Sequence, residues 1–124
     1  MHVLIVVSDP QLGMVWKQHL QEVCRKVDLV AGQDAAVAVL ERENVRVIVL
    51  DLGLAEGSAM AVADYASYRR PAAKVVSVTR DAVFADGSIF QHMPNACAFL
   101  PARMPPSDLA AVVEHHGRAA AMLH

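Results

Sequence analysis

The stretch VRVIVLDLGL, residues 45–54, decides the fold. Val47, Ile48, Val49 and Leu50 follow one another without a polar break, and the run ends on Asp51. A strand with one wet face alternates apolar and polar residues. An unbroken apolar run predicts a strand covered on both faces, as in the centre of a parallel sheet. In such sheets ligands bind beyond the carboxyl ends of the strands, so a carboxylate at that end is a candidate functional group.

Working outward, residues 3–7 (VLIVV) form a second unbroken run, closed by Ser8, Asp9 and Pro10. Residues 10–24 place Leu12, Val15, Trp16, Leu20 and Val23 at helical spacing, with Pro10 suited to the first turn. Residues 27–31, interrupted by Asp28, read as an edge strand. Asp34 is expected to cap an alanine-rich helix ending in Glu41-Arg42-Glu43. On the other side, Ser58 can cap a helix running to Arg69, which Pro71 closes. Residues 75–78 are a fourth strand, ending at Thr79. Residues 81–92 read as a helix weakened by Gly87. Residues 96–100 are a fifth strand, and Ser107 is expected to cap a last helix with Leu109, Val112, Val113 and His116 along one stripe.

Five strands thus alternate with five helices. The pattern predicts an α/β fold: a doubly wound, five-stranded parallel sheet with helices on both faces, right-handed crossovers and the flavodoxin-like order 2-1-3-4-5. The 124 residues fit one domain, 1–124. Charged residues make up 19%, below the usual quarter or so, and hydrophobic residues 55%, which excludes a disordered chain. A net charge of −2 offers no basic surface for a phosphate backbone, so no direct nucleic-acid contact is expected. No apolar run approaches the roughly 20 residues of a membrane span. The expectation is a soluble, cytoplasmic domain with no membrane association. Cys24 and Cys97 lie far apart in no CxxC pattern and read as free thiols of a reducing compartment.

The strand ends to read are Ser8-Asp9, Asp51, Thr79-Arg80 and Pro101-Ala102-Arg103. Asp9 and Asp51 leave adjacent central strands at the same edge. Two like charges about 4 Å apart repel by about 4 kcal/mol at an effective dielectric near 20, and a hard cation with oxygen ligands offsets that. Mg²⁺, which keeps several waters, suits a site with few carboxylates. A carboxylate there can act as nucleophile toward a phosphoryl group, with the Thr79 hydroxyl bonding one of its oxygens. Each residue also has a plain structural reading: Asp9 before Pro10 as a helix cap, Asp51 as a turn residue, Thr79 as a loop residue. The functional reading rests on all three meeting at one edge. The six glycines form neither GxGxxG nor a Walker A loop.

The segments HVLIVVSDP, VRVIVLDLGL, KVVSVTR and ACAFLPARMPPSDL, in that order, resemble the receiver domain of bacterial two-component response regulators (CheY-like) across essentially the whole chain. The resemblance implies that Asp51 is the phosphoacceptor of a phosphorelay, that Asp9 and Asp51 bind Mg²⁺ with the backbone carbonyl of Gly53, that Thr79 is the switch hydroxyl and that Phe99 is the switch aromatic. It further implies a histidine kinase or phosphotransfer protein as donor, and a downstream protein, or a second copy in a homodimer, on the fourth-helix/fifth-strand/fifth-helix face. Enzymic activity would be limited to self-phosphorylation and self-dephosphorylation.

Three positions and one loop length depart from that pattern. Ser8 stands where a second acid is usual, which weakens Mg²⁺ binding. Ala102 stands where the family has a lysine that pairs with a phosphoryl oxygen, with Arg103 or Arg80 as the nearby cations. Ala55 replaces the usual proline, and the loop to Gly57 is about two residues short. A degenerate receiver acting as a phosphorylation-independent interaction module therefore stays open, as does a small α/β enzyme or nucleotide binder at the same crevice. The six histidines, the Arg69-Arg70 pair, Met60, Met93, Met104, Met122 and Trp16 read as packing, solvated or dipole-complementing residues.

Overall fold

The structure, a computed structural model, describes residues 1–79 and 95–122. Its elements are β1 (His2–Val6), α1 (Pro10–Gln21), β2 (Lys26–Val30), α2 (Gln33–Arg42), β3 (Val47–Asp51), α3 (Ala59–Arg69), β4 (Lys74–Thr79), β5 (Ala96–Pro101) and α4 (Pro106–Met122). The strands form one sheet in the order β2-β1-β3-β4-β5, and every neighbouring pair is parallel. The helix expected over 81–92 lies outside the described residues, so the last helix of the sequence reading is α4.

The unbroken apolar runs do what their pattern predicts. Every residue of β3 is buried, and in β1 all but His2 are. Their side chains alternate between two cores. Leu4, Val6, Ile48, Leu50 and Val75 pack with α2 and α3 through Ala36, Leu40, Val62 and Ala66. Val3, Ile5, Val7, Val47, Val49, Val76 and Val78 pack with α1 and α4 through Trp16, Leu20, Leu109 and Val113. Small residues on α2 and α3 bring those helices close, so alanine richness translates into tight layers rather than weak ones. Gly13, on the buried side of α1, does the same: a Cβ there would sit 2.8 Å from Leu29 Cδ1.

Three local expectations are corrected. Asp34 does not cap α2: Gly32 occupies the cap without a side-chain bond, and Asp34 lies in the first turn, where its charge still complements the helix dipole. Ser107 does not cap the last helix. Pro106 is its first residue, and the amides of Asp108 and Leu109 both donate to Pro105 O. A proline fits there because the first helical N–H has no intrahelical acceptor. Arg69 and Arg70 do more than complement the dipole at the end of α3: they also serve the neighbouring helix. Arg70 Nε donates to Leu40 O at 2.9 Å, and both guanidinium groups reach Glu41 O, satisfying the open carbonyls at the C-terminus of α2. By contrast Asp9 and Ser58 cap α1 and α3 as expected.

Candidate functional site

Asp51 is the last residue of β3 and only 4% exposed. The amide of Gly53 donates to its Oδ1 at 2.9 Å, which fixes the carboxylate toward the start of the following loop. A Cβ built on Gly53 would lie 3.6 Å from that oxygen, so the residue closes directly over the acid. Thr79 ends β4 and is buried. The register pairs Asp51 with Val78, which places Thr79 one residue farther along the same edge. Two backbone bonds hold this edge together: Leu52 N to Val78 O at 2.9 Å and Ala102 N to Thr79 O at 2.8 Å. Phe99 is half-buried and pairs with Ser77, a pleat below the edge.

Asp9 adopts the cap role its sequence suggests. Its Oδ1 accepts from Gln11 N at 3.0 Å and Leu12 N at 3.3 Å. The cap and a metal-ligand role are compatible, because an ionised carboxylate has two oxygens and about four acceptor positions. Among the described residues no three His, Cys, Asp or Glu side chains gather as a metal centre. The oxygen donors on offer are the carboxylates of Asp9 and Asp51 and the carbonyl of Gly53. Such a hard, sparse set fits Mg²⁺, which retains waters, and does not fit a cation that needs a full protein cage.

The two departures behave differently. Ser8 is engaged in structure: its Oγ donates to Ala31 O at 2.9 Å and accepts from Ala55 N at 2.9 Å, joining the end of β1 to the loops after β2 and β3. Ala102 is partly buried and packs against the α1/α4 core. The chain has three lysines, and none lies at this edge. Lys26 and Lys74 begin β2 and β4 at the opposite end of the sheet, and Lys17 lies within α1. Arg103 is exposed in the turn after β5, and Arg80 lies outside the described residues.

The loop after Asp51 is held by residues the sequence did not single out. Gln33 N donates to Glu56 O at 3.2 Å, and its side-chain Oε1 accepts from Ser58 N at 2.8 Å. Gly57 has φ +83°, and a Cβ there would meet Gln33 Cβ at 2.3 Å. The glycine was a visible signal for a left-handed turn. Nothing local in the sequence marks Gln33, because its partner lies 25 residues away.

The thiols stand apart from this chemistry. Cys24 is buried, and burial pushes its thiol up; Cys97 donates to Val75 O and is pushed up to about 11 by burial. Both are protonated at neutral pH and poor nucleophiles. No helix among the described residues is long and apolar enough to cross a membrane.

No protein-family model matches the sequence, and no curated protein matches it either. Solved structures do. A response regulator receiver domain protein (CheY-like) from Methanospirillum hungatei superposes with a TM-score of 0.89 at 21% identity, covering 99% of this chain and 98% of that one. The beryllofluoride-activated receiver domain of DrrB, a Thermotoga maritima protein, gives a TM-score of 0.78 at 20% identity, covering 93% and 95%. A Burkholderia pseudomallei response regulator with a phosphorylated aspartic acid and a calcium ion gives 0.79 at 16% identity, covering 98% of this chain and 71% of that one. At these identities the likeness is one of fold: this chain has the fold of receiver domains.

Proposed function

We propose that residues 1–124 form one receiver domain of a phosphorelay, in which Asp51 accepts a phosphoryl group from a histidine kinase or phosphotransfer protein. One observation carries this reading: a buried carboxylate ends the central strand, Thr79 ends the strand on one side of it, and Asp9, capping α1, follows the strand on the other. Two structures of the same fold support it, one holding a phosphorylated aspartic acid and one activated by beryllofluoride.

In the reaction, a carboxylate oxygen of Asp51 attacks the phosphorus of a phosphohistidine. The P–N bond breaks, the imidazole leaves with its electron pair and takes up a proton, and an aspartyl phosphate remains. The Gly53 amide holds Oδ1 and so orients the nucleophile. The Thr79 hydroxyl donates to a phosphoryl oxygen, and its backbone carbonyl, bonded to Ala102 N, couples that contact to the turn after β5. A Mg²⁺ ion held by Asp9, Asp51 and the Gly53 carbonyl would supply charge neutralisation at the transferring oxygens. The added charge of about −1.5 to −2 moves Thr79 and Phe99 and changes the face that β5 and α4 present. That face meets a downstream protein or a second copy of the chain. The domain works in the cytoplasm and turns over nothing but its own phosphoryl group.

A second reading has its own support. Ser8 is bonded into two loops, and Ala102 leaves the edge without a lysine. Both favour an interaction module whose output does not depend on phosphorylation. Titration with Mg²⁺ and beryllofluoride, followed by backbone NMR, separates the two. Shifts around Asp51, Thr79 and Phe99 in the wild type, absent in Asp51→Asn, support the relay. No shift, or equal shifts in both proteins, overturns it in favour of the second reading.

A further inference from the structure

The loop that follows Asp51 is fastened to its neighbour by four hydrogen bonds that use no charged group. Ser8 Oγ supplies two of them, to Ala31 O and from Ala55 N. Gln33 supplies the other two, through its amide to Glu56 O and its Oε1 from Ser58 N. Gly57, at φ +83°, lets the backbone approach Gln33 closely enough to complete the seam. A hydroxyl has one proton to donate and two lone pairs to accept with. Ser8 uses its proton on a carbonyl and one lone pair on an amide. A carboxylate at this position could accept from Ala55 N but could not donate to Ala31 O. It would instead set two oxygens of like polarity against each other, a contact that a cation between or beside them would relieve.

We propose that Ser8 is a positioning residue that holds the loop over residues 52–58 in its working arrangement without a metal ion. In this protein the order of the loop and the binding of a cation are separate events. The seam acts on Asp51 indirectly: Ala55 and Glu56 are anchored, which fixes the stretch after Gly53, whose amide orients the carboxylate, while the Leu52 amide bonded to Val78 O fixes the residue before it. The inference uses the receiver reading only for the meaning of "working arrangement"; the seam exists whether or not Asp51 is phosphorylated.

Amide hydrogen exchange on the full chain, with and without Mg²⁺, tests it. In the wild type the amides of Ala55 and Ser58 are expected to be protected in the absence of Mg²⁺, with less than about a twofold change when it is added. In Ser8→Ala the Ala55 amide should exchange about fivefold faster or more, while the core amides of Ile5 and Val49 keep their rates. Ser8→Thr, which keeps the hydroxyl, should restore the slow rate. Ser8→Asp should make protection of Ala55 depend on Mg²⁺. The idea is overturned if the wild-type loop needs Mg²⁺ for protection, or if Ser8→Ala leaves Ala55 unchanged. Should Ser8→Ala fold poorly, the wild-type comparison and Ser8→Asp still decide. Because no phosphoryl mimic is used, failure here is distinct from failure of the relay reading, which the beryllofluoride titration reports.

Discussion

The two ends of the sheet use polar residues in opposite ways. At the amino end, polar and charged groups find partners in neighbouring elements and serve the fold. His2 Nε2 lies 2.7 Å from Asp28 Oδ2, Lys26 Nζ bonds Glu43 Oε1 at 3.0 Å, and Arg69 and Arg70 close the last carbonyls of α2. At the carboxyl end two acids stand with hydroxyls and backbone amides, and no lysine of the chain lies there. The first end ties strand starts to helix ends. The second gathers two acids and a hydroxyl at a fixed edge, which on the proposed reading serve a cation and a phosphoryl group. Alterations of the acids at the carboxyl end should therefore cost function, and alterations at the amino end stability.

The largest expected effect is at Asp51. Asp51→Asn should abolish phosphoryl gain from a small acyl phosphate donor, read by intact-protein mass spectrometry. Its urea unfolding should stay within about 1 kcal/mol of the wild type, the range of substitutions that leave packing intact. A fully phosphorylated Asp51→Asn protein would erase the functional distinction between the two ends.

Next is Gly57→Ala, at the carboxyl end but structural in kind. The positive φ and the close Gln33 side chain predict a loss of about 1–3 kcal/mol in urea unfolding. A smaller loss would mean that the seam tolerates being opened.

At the amino end, Arg70→Ala removes the bonds to Leu40 O and Glu41 O and should cost about 1 kcal/mol, with phosphoryl acceptance unchanged. A change in acceptance would show that the ends are coupled.

The smallest effect belongs to Glu43. Its bond to Lys26 holds its carboxyl below the usual range. A carboxyl lowered in the folded state adds stability above its unfolded pKa and loses it as pH falls through the folded value. Both side chains are well exposed, 51% for Lys26 and 40% for Glu43, so solvent screens the pair. Glu43→Gln should slightly lower stability at neutral pH, with the difference from the wild type vanishing as pH falls through the folded carboxyl's range.

The sheet was legible because its signal is local and repeated. Two unbroken apolar runs, at 3–7 and 47–50, are short enough to read as strands covered on both faces, and the alternation with helices points to a parallel sheet whose order the structure bears out. Asp51 and Thr79 were legible for the same reason, since a strand's last residue is found by finding the strand, and Asp9 because it stands before Pro10 at the start of the next helix. The helix starts were harder. Asp34 and Ser107 have the chemistry of caps, but Gly32 and Pro105 hold the cap positions, because the preceding strand and turn deliver the chain there. The roles of Arg69 and Arg70 were hidden, since their acceptors belong to another helix.

Ser8 marks the boundary between the two kinds of knowledge. Composition and pattern alone determine an α/β domain, the order of its strands and the acids at its carboxyl edge, because burial on both faces and a periodicity of two or 3.6 are written residue by residue. They also show that position 8 is neutral. Only the tertiary structure decides what that neutrality does: Ser8 meets Ala31, 23 residues away, and Ala55, 47 residues away. Hydrogen bonds across such separations leave no trace in local pattern, because the chain is brought together by the sheet and not by its own spacing.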